Sequence, residues 1–175
     1  MGLGKLENKK IGVLGGSFDP AHIGHIKISK IAKKDYNLIQ VIWAITKQNP
    51  FKKNKPNDLH KRTAYAKKIN KRNKFIKVQC FDDILKSNRT IDLIKYLKKK
   101  FKNTDIYFLL GADNLVNFHK WKGCNLITKM CKILVFDRDG YKSKALKSKS
   151  FKTVSYTHLR AHETLRYLVC RLLLE

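Results

Sequence analysis

Acidic residues and arginine are both scarce in this chain of 175 residues, although basic residues are abundant. Only 13 residues are Asp or Glu, against 39 Lys and Arg, and the formal net charge is +26. A charge of that size attracts polyanions and anionic substrates, nucleic acid included. Of the basic residues, however, 32 are lysine and only seven are arginine, and the lysines are spread along nearly the whole chain. This distribution favours lysines on solvated faces, and we expect no nucleic-acid partner.

Cysteine pairs and long apolar runs are also lacking. Cys80, Cys124, Cys131 and Cys170 form no C-x-x-C pair, and none lies at zinc-finger spacing with a histidine. We expect free thiols in a reducing compartment. No apolar run approaches the length of a membrane span, and the N-terminal segment lacks the apolar core of a secretory signal. The expected location is therefore the cytoplasm, with no membrane partner.

What the sequence does contain is short apolar runs that alternate with helical patterns. The length is that of one domain, and 43% hydrophobic residues is typical of a globular chain. Strands are predicted at 11–15, 38–45, 75–81, 105–111 and 132–137, and helices at 23–34, 58–69, 91–101 and shortly after Asp113. This order predicts an α/β protein, with a Rossmann-like doubly wound parallel sheet of about five strands and helices on both faces.

Two helices carry more detailed expectations. In the first, Ile23, Ile31 and one of Ile26 and Ile28 are expected to point inward. The second should be capped at its N-terminus by Asn57 or Asp58.

Ligands of such sheets bind beyond the carboxyl ends of the strands, where the strand order reverses. The segments that follow strands one, two, four and five contain residues with no evident packing role. These segments are GGSFDPAHIGH, TKQNPFKK, GADNL and DRDGY.

The segment GGSFDPAHIGH has the composition of a polyphosphate site. His22 and His25 are three residues apart at the start of a helix, so they share one face, and Gly24 between them leaves space. The helix N-terminus adds partial positive charge. The two histidines would also suit part of a metal site, but no third ligand is close in sequence, and we predict no protein-bound metal. Free backbone N–H groups could face an anion at Gly16, Ser17 and Phe18.

These residues resemble a known family. GGSFDPAHIGH is similar to the nucleotidyltransferase signature, a G-x-F-D-P run that ends in H-x-G-H. VIWAITKQNPFK, RTIDLI and YFLLGADNLVNFHKW resemble segments of the bacterial nicotinate-nucleotide adenylyltransferases, in matching order and spacing over residues 9–140. The H-x-G-H signature specifies the superfamily, and the other elements point to its pyridine-nucleotide branch.

The resemblance implies that ATP and nicotinate mononucleotide react to give deamido-NAD and pyrophosphate, with Mg²⁺ bridging ATP oxygens. It implies that His22 and His25 are catalytic and stabilise the transition state. ATP would be bound by Gly16, Ser17, Phe18, Gly24, Gly111, Asp113, Ser155, Thr157 and Arg160, and the second substrate by Lys52, Thr90, Trp121 and Arg138.

Several of these residues also have a simpler interpretation. Trp121 would serve equally as a core aromatic, and Asp113 as the N-cap of a helix. Lys52 has other lysines beside it, and Arg138 would suit ordinary surface. Three residues depart from the family's pattern, namely Lys47 for a proline, Arg89 for a tyrosine and Leu93 for a threonine.

The C-terminus has a different composition from the rest of the chain. Residues 1–152 contain every lysine, isoleucine and asparagine, and residues 153–175 contain none. The family's late I-S-S-T-x-I-R segment, which binds ATP phosphates, is matched only in part by VSYTHLR, and that match follows the fifth strand unusually soon. We therefore expect a nucleotidyltransferase domain at 1–152 and a foreign or frame-shifted tail at 153–175. Sequencing of the source locus through codon 153 tests this, since an uninterrupted native frame would rule it out.

Two other functions compete with this one. A phosphopantetheine adenylyltransferase has a similar signature but usually a threonine for the first histidine, and it lacks the GADNL and tryptophan arrangement; His22 and Trp121 therefore argue against it. A basic RNA-binding protein would need aromatic platforms or an arginine-rich face, and arginine is scarce here.

Overall fold

The strands of the protein form one mixed sheet that is parallel over most of its width. The computed structural model describes residues 8–48, 56–137, 140–153, 158–159 and 170–171. Five strands run parallel in the order β3-β2-β1-β4-β5, and two short antiparallel strands continue the sheet beyond β5 in the order β7-β6. The strands are β1 (Lys9–Gly16), β2 (Gln40–Ile45), β3 (Ile76–Cys80), β4 (Thr104–Gly111), β5 (Lys132–Phe136), β6 (His158–Leu159) and β7 (Cys170–Arg171).

Helices cover both faces of the parallel strands. The helices are α1 (Ile23–Tyr36), α2 (Leu59–Ile69), α3 (Asp82–Leu85), α4 (Thr90–Lys100), α5 (Ala112–Val116), α6 (Cys124–Met130), α7 (Lys142–Leu146) and α8 (Lys149–Thr153), with a 3-10 turn at Phe118–Lys120. Alternate residues of each strand point to opposite faces. Phe108 of β4 therefore joins the core beneath α4 and α6, whereas Leu109 joins the core beneath α1 and α2.

The α/β fold and its five parallel strands are confirmed. Each predicted strand lies within two residues of an observed one, because each is an apolar run. Side chains are buried on both faces in β1, β2, β4 and β5, whereas the edge strand β3 is only partly buried. Asp58 is the cap of α2, since its Oδ1 accepts a hydrogen bond from the N–H of Lys61 at 3.0 Å. No helix in the described ranges is long and apolar enough to cross a membrane.

Two local expectations were wrong. Ile23 is not inward but 64% exposed, because α1 begins at that residue and its buried face starts only with Ile26. Asp113 is not the N-cap of α5, because Gly111 occupies that position and Asp113 is the second helical residue.

Candidate active site

A cavity of about 1150 Å³ opens at the carboxyl ends of the parallel strands. Its walls come from the segments that follow β1, β2, β4 and β5, together with the starts of α3 and α4. The strand order reverses between β1 and β4, since β2 and β3 lie on one side of β1 and β4 and β5 on the other. The cavity is thus at the switch point of the sheet, where α/β proteins bind their ligands. Of the predicted site residues, those that line it are Gly16, Ser17, Phe18, His22, Gly24, His25, Thr90, Gly111, Asp113 and Trp121.

His22 and His25 together form a capping box at the N-terminus of α1. His22 is the N-cap, and its Nδ1 accepts a hydrogen bond from the N–H of Gly24 at 3.2 Å. The Nδ1 of His25 in turn accepts from the backbone N–H of His22 at 3.1 Å, and the ring centroids are 3.9 Å apart. Because both Nδ1 atoms are acceptors, each neutral ring carries its proton on Nε2. The pair therefore offers two N–H donors at the positive end of a helix dipole, an arrangement suited to phosphate oxygens.

Gly24 is required by the ring of His22. A Cβ atom at residue 24 would lie 2.9 Å from both Nδ1 and Cε1 of that ring. From the sequence, this glycine is expected to clear space for the ligand. The space it clears is occupied by the capping histidine itself.

The buried ring of Phe18 packs against the ring of His25. Phe18 has a left-handed φ of 48° and is 2% exposed, and its ring lies 4.8 Å from that of His25 and 4.9 Å from that of Trp43. Trp43 donates to Ser29 Oγ at 2.9 Å, and this hydroxyl donates to the carbonyl of His25 at 2.7 Å. An aromatic and polar network within the core thus fixes the first turn of α1.

Gly111 and Asp113 lie opposite, at the end of β4. Gly111 is the N-cap of α5, and a Cβ atom there would overlap Oδ1 of Asp113. Glycine at 111 therefore allows the carboxylate of Asp113 to fold back over the start of the helix, where negative charge is favourable.

Thr90 and Trp121 form another wall of the same cavity. Thr90 is the first residue of α4. Trp121 is half-buried, and its ring meets Phe118 at 5.3 Å and Phe108 edge-on at 6.2 Å. Trp121 therefore packs on the core and also lines the cavity, and its role in substrate binding stays a prediction.

The segment after β2 is held by two aspartates, Asp82 and Asp83, that are not among the predicted site residues. Asp82 Oδ2 accepts from Thr46 Oγ1 at 2.9 Å and from the N–H of Lys47 at 2.7 Å. Lys47, which replaces the family's proline, forms an exposed ion pair with Asp83. The hydrogen bond to Asp83 raises the pKa of Lys47. Adjacent aspartates at the start of a short helix were the available signal.

Five predicted site residues fall outside the described residues, namely Lys52, Arg138, Ser155, Thr157 and Arg160. Within the described part of the chain, no group of three or more His, Cys, Asp or Glu side chains is arranged to hold a metal ion. Four carboxylates line the cavity, those of Asp19, Asp82, Asp113 and Asp137, and each follows a different strand.

Comparison with known proteins gives consistent matches. Residues 13–167 match the family model described as cytidylyltransferase-like. A protein of Pelagibacter ubique named as a nicotinate-nucleotide adenylyltransferase is 56% identical over 150 residues, which cover 86% of this chain and 83% of that protein. A protein of Aquifex aeolicus with the same name is 33% identical over 152 residues, covering 86% and 89%.

Solved structures give the same fold. The nicotinic acid mononucleotide adenylyltransferase of Plasmodium falciparum complexed with NaAD has a TM-score of 0.65 and 24% identity, over 79% of this chain and 70% of that one. Its complex with APC has a TM-score of 0.66 and 22% identity over the same shares.

Proposed function

Since the chain belongs to the cytidylyltransferase-like family and, within it, to the nicotinate-nucleotide adenylyltransferases, we propose that it transfers the adenylyl group of ATP to nicotinate mononucleotide. The products are deamido-NAD and pyrophosphate, and the pathway is NAD biosynthesis. The observation that carries this proposal is that a single cavity is lined by the histidine pair of α1 and by Thr90 and Trp121. One cavity can then hold both substrates with their phosphates adjacent.

In the proposed reaction, a phosphate oxygen of the mononucleotide attacks the α-phosphorus of ATP. The bond from that phosphorus to the bridging oxygen breaks in line, and pyrophosphate leaves with the bonding electrons. The nucleophile is already an anion, so no side chain has to remove a proton from it. Catalysis then consists of positioning and charge stabilisation.

The predicted site residues that line the cavity each have a role in this proposal. The Nε2–H groups of His22 and His25 donate to the phosphates of ATP and to the charge that develops on the leaving group. The backbone amides of Gly16, Ser17 and Phe18 line the same phosphate region, and Gly24 keeps the histidine ring in place. Gly111 and Asp113 contact the adenosine.

The mononucleotide lies at the other wall of the cavity. Trp121 stacks on its pyridine ring and Thr90 lies near the nicotinate carboxylate. Lys52 and Arg138 would neutralise its phosphate. Ser155, Thr157 and Arg160 would complete the ATP phosphate site from the C-terminal segment; these five residues lie outside the described ranges.

The donors around the cavity fit a magnesium ion that enters with ATP. Mg²⁺ prefers oxygen ligands and, in nucleotide enzymes, binds substrate phosphates, water and one or two carboxylates. The ion would be held mostly by ATP oxygens and water, and Asp137 would supply such a carboxylate from the cavity wall. The ion would withdraw charge from the phosphate oxygens. We also propose that the enzyme acts in the cytoplasm, because the cysteines in the described ranges are free thiols.

The proposal is tested by pyrophosphate release from ATP and Mg²⁺ with each of three acceptors: nicotinate mononucleotide, nicotinamide mononucleotide and phosphopantetheine. We expect release with nicotinate mononucleotide. Release with phosphopantetheine alone would indicate a phosphopantetheine adenylyltransferase instead. Release with none of the three acceptors, together with tight salt-sensitive binding of RNA, would indicate an RNA-binding protein.

A further inference from the structure

Arg62 of α2 is a buried arginine that holds three segments of backbone together. It is 4% exposed, and its guanidinium donates four hydrogen bonds. Nη1 donates to the carbonyls of Ser17 at 2.6 Å and Thr46 at 2.9 Å. Nη2 donates to the carbonyl of Lys47 at 3.0 Å, and Nε to that of Asn57 at 2.8 Å. The loops after β1 and β2 and the residue preceding the cap of α2 therefore converge on one side chain.

The acceptors of Arg62 are unusual for a charge at this depth. Buried guanidinium groups are ordinarily paired with carboxylates, because an unpaired buried charge is costly. Here each of the four acceptors is a backbone carbonyl. The positive charge therefore acts on the carbonyls of Ser17 and Thr46, and both of these residues line the cavity.

The bond to Ser17 acts on a group that faces the proposed phosphate site. The carbonyl of Ser17 and the N–H of Phe18 belong to the same peptide unit. A charged donor on that carbonyl polarises the peptide, and its N–H becomes a stronger donor. The left-handed φ of Phe18 (48°) is typical of turns in which successive N–H groups converge on an anion.

The residue after Phe18 is held through a relay. Asp19 accepts from the backbone N–H of Asn57 at 2.8 Å and from its side-chain amide at 2.7 Å. Asn57 is the same residue whose carbonyl accepts from Arg62. Phe18 is therefore fixed on both sides, directly through Ser17 and indirectly through Asp19.

We propose that Arg62 is a positioning residue for adenylyl transfer. It polarises the Ser17–Phe18 peptide toward the ATP phosphates, and it keeps the loop after β1 in register with the loop after β2. This inference rests on the proposed function for its effect on turnover, but its effect on ATP binding does not require a second substrate.

The test compares Arg62→Lys and Arg62→Ala with the wild type by calorimetric ATP binding, by steady-state kinetics and by the midpoint of urea unfolding. Lysine keeps the charge, but its single nitrogen cannot span the four carbonyls. We expect Arg62→Lys to weaken ATP binding about tenfold and to lower kcat about thirtyfold or more, because small misplacements of reacting groups are costly. Guanidinium ion at millimolar concentration should restore part of the kcat of Arg62→Ala, and methylammonium should not.

Two further variants separate positioning from stability. Asn70→Ala is the matched control, since Asn70 is also buried, at the C-terminal end of α2, and bonds the carbonyl of Ala66, away from the cavity. It should lower the unfolding midpoint and leave kcat within about twofold of wild type, as expected for a distant site. Asn57→Ala removes an exposed amide and should fold, and we expect it to weaken ATP binding about threefold through loss of one hydrogen bond to Asp19.

Three results would overturn the inference. The first is a folded Arg62→Lys with wild-type ATP affinity and kcat, and the second is an Asn70→Ala that loses as much kcat as an Arg62 variant of equal stability. If neither Arg62 variant folds, the third is an Asn57→Ala with unchanged ATP binding. A wild-type protein that binds ATP but forms no dinucleotide would refute the proposed function alone, because the affinities of the variants for ATP still decide the role of Arg62.

Discussion

The absence of a side chain at residue 24 allows His22 to cap α1, and the proposed role of His22 as a phosphate ligand depends on it. The N–H of Gly24 bonds the His22 ring, and the ring lies where a Cβ of residue 24 would be. The neighbouring H-x-G-H residues are thus tied to each other before any substrate binds. Pre-organisation of this kind reduces the reorganisation that the transition state would otherwise require.

Gly24→Ala is expected to reduce adenylyl transfer while leaving the fold intact. The added methyl group has to displace the ring of His22, because its carbon would lie only 2.9 Å from Nδ1 and Cε1 of that ring. We expect kcat/KM for ATP to fall about tenfold or more, since one donor of the pair is moved. Steady-state kinetics and circular dichroism check this. Lys27→Ala, on the exposed side of α1, is the control and should retain wild-type rates.

At the scale of elements, the sequence predicts the long strands and helices well and the short ones poorly. The strands are apolar runs with clear ends, and α2 and α4 have periodic apolar faces. The helices α3 and α6, of four and seven residues, are too short to show a period and were not predicted. The role of α3 depends on a contact with a distant segment. Asp82 at its start binds the segment after β2, and no local sequence pattern reveals that partner.

Asp82→Ala should weaken binding of the mononucleotide more than that of ATP. The variant frees the hydroxyl of Thr46 and the N–H of Lys47, which begin the loop on the proposed mononucleotide side. Loss of two hydrogen bonds to a carboxylate should raise KM for nicotinate mononucleotide about tenfold, with KM for ATP within about twofold. The paired control is Asp83→Asn, which breaks only the exposed ion pair with Lys47 and should change neither KM. Equal effects of both variants would contradict this role for α3.

The cap of α2 makes a pH-dependent contribution to stability. The hydrogen bond from the N–H of Lys61 lowers the pKa of Asp58 below its ordinary 3.8. A carboxylate whose folded-state pKa is depressed stabilises the fold above the unfolded-state pKa, and this stabilisation is lost as pH falls through the folded-state value. Asp58→Asn keeps a cap that does not titrate. The free energy of unfolding, measured in urea, should therefore fall below about pH 4 more for the wild type than for Asp58→Asn. A difference that does not change with pH would refute the effect.

At the scale of the whole molecule, the carboxyl edge of the sheet brings together residues that are far apart in sequence. The sequence could predict which segments meet there, because parallel strands end at one edge and their order reverses once. It could not predict Arg62, since a helical arginine that bonds four carbonyls leaves no local pattern; its signal was only its rarity in a lysine-rich chain. The division into residues 1–152 and a foreign tail at 153–175 stays a prediction, which the source locus tests.

The central claim is that His22 and His25 serve adenylyl transfer to nicotinate mononucleotide, and its most direct measurement is deamido-NAD formation by the wild type and by His22→Asn. Asparagine is a good N-cap, so the variant keeps the start of α1 but loses the Nε2 donor. We expect deamido-NAD from the wild type and a rate about 10²-fold lower from His22→Asn at unchanged stability. His60→Asn, an exposed histidine of α2, should match the wild type. No deamido-NAD from the wild type, or a wild-type rate from His22→Asn, would contradict the claim.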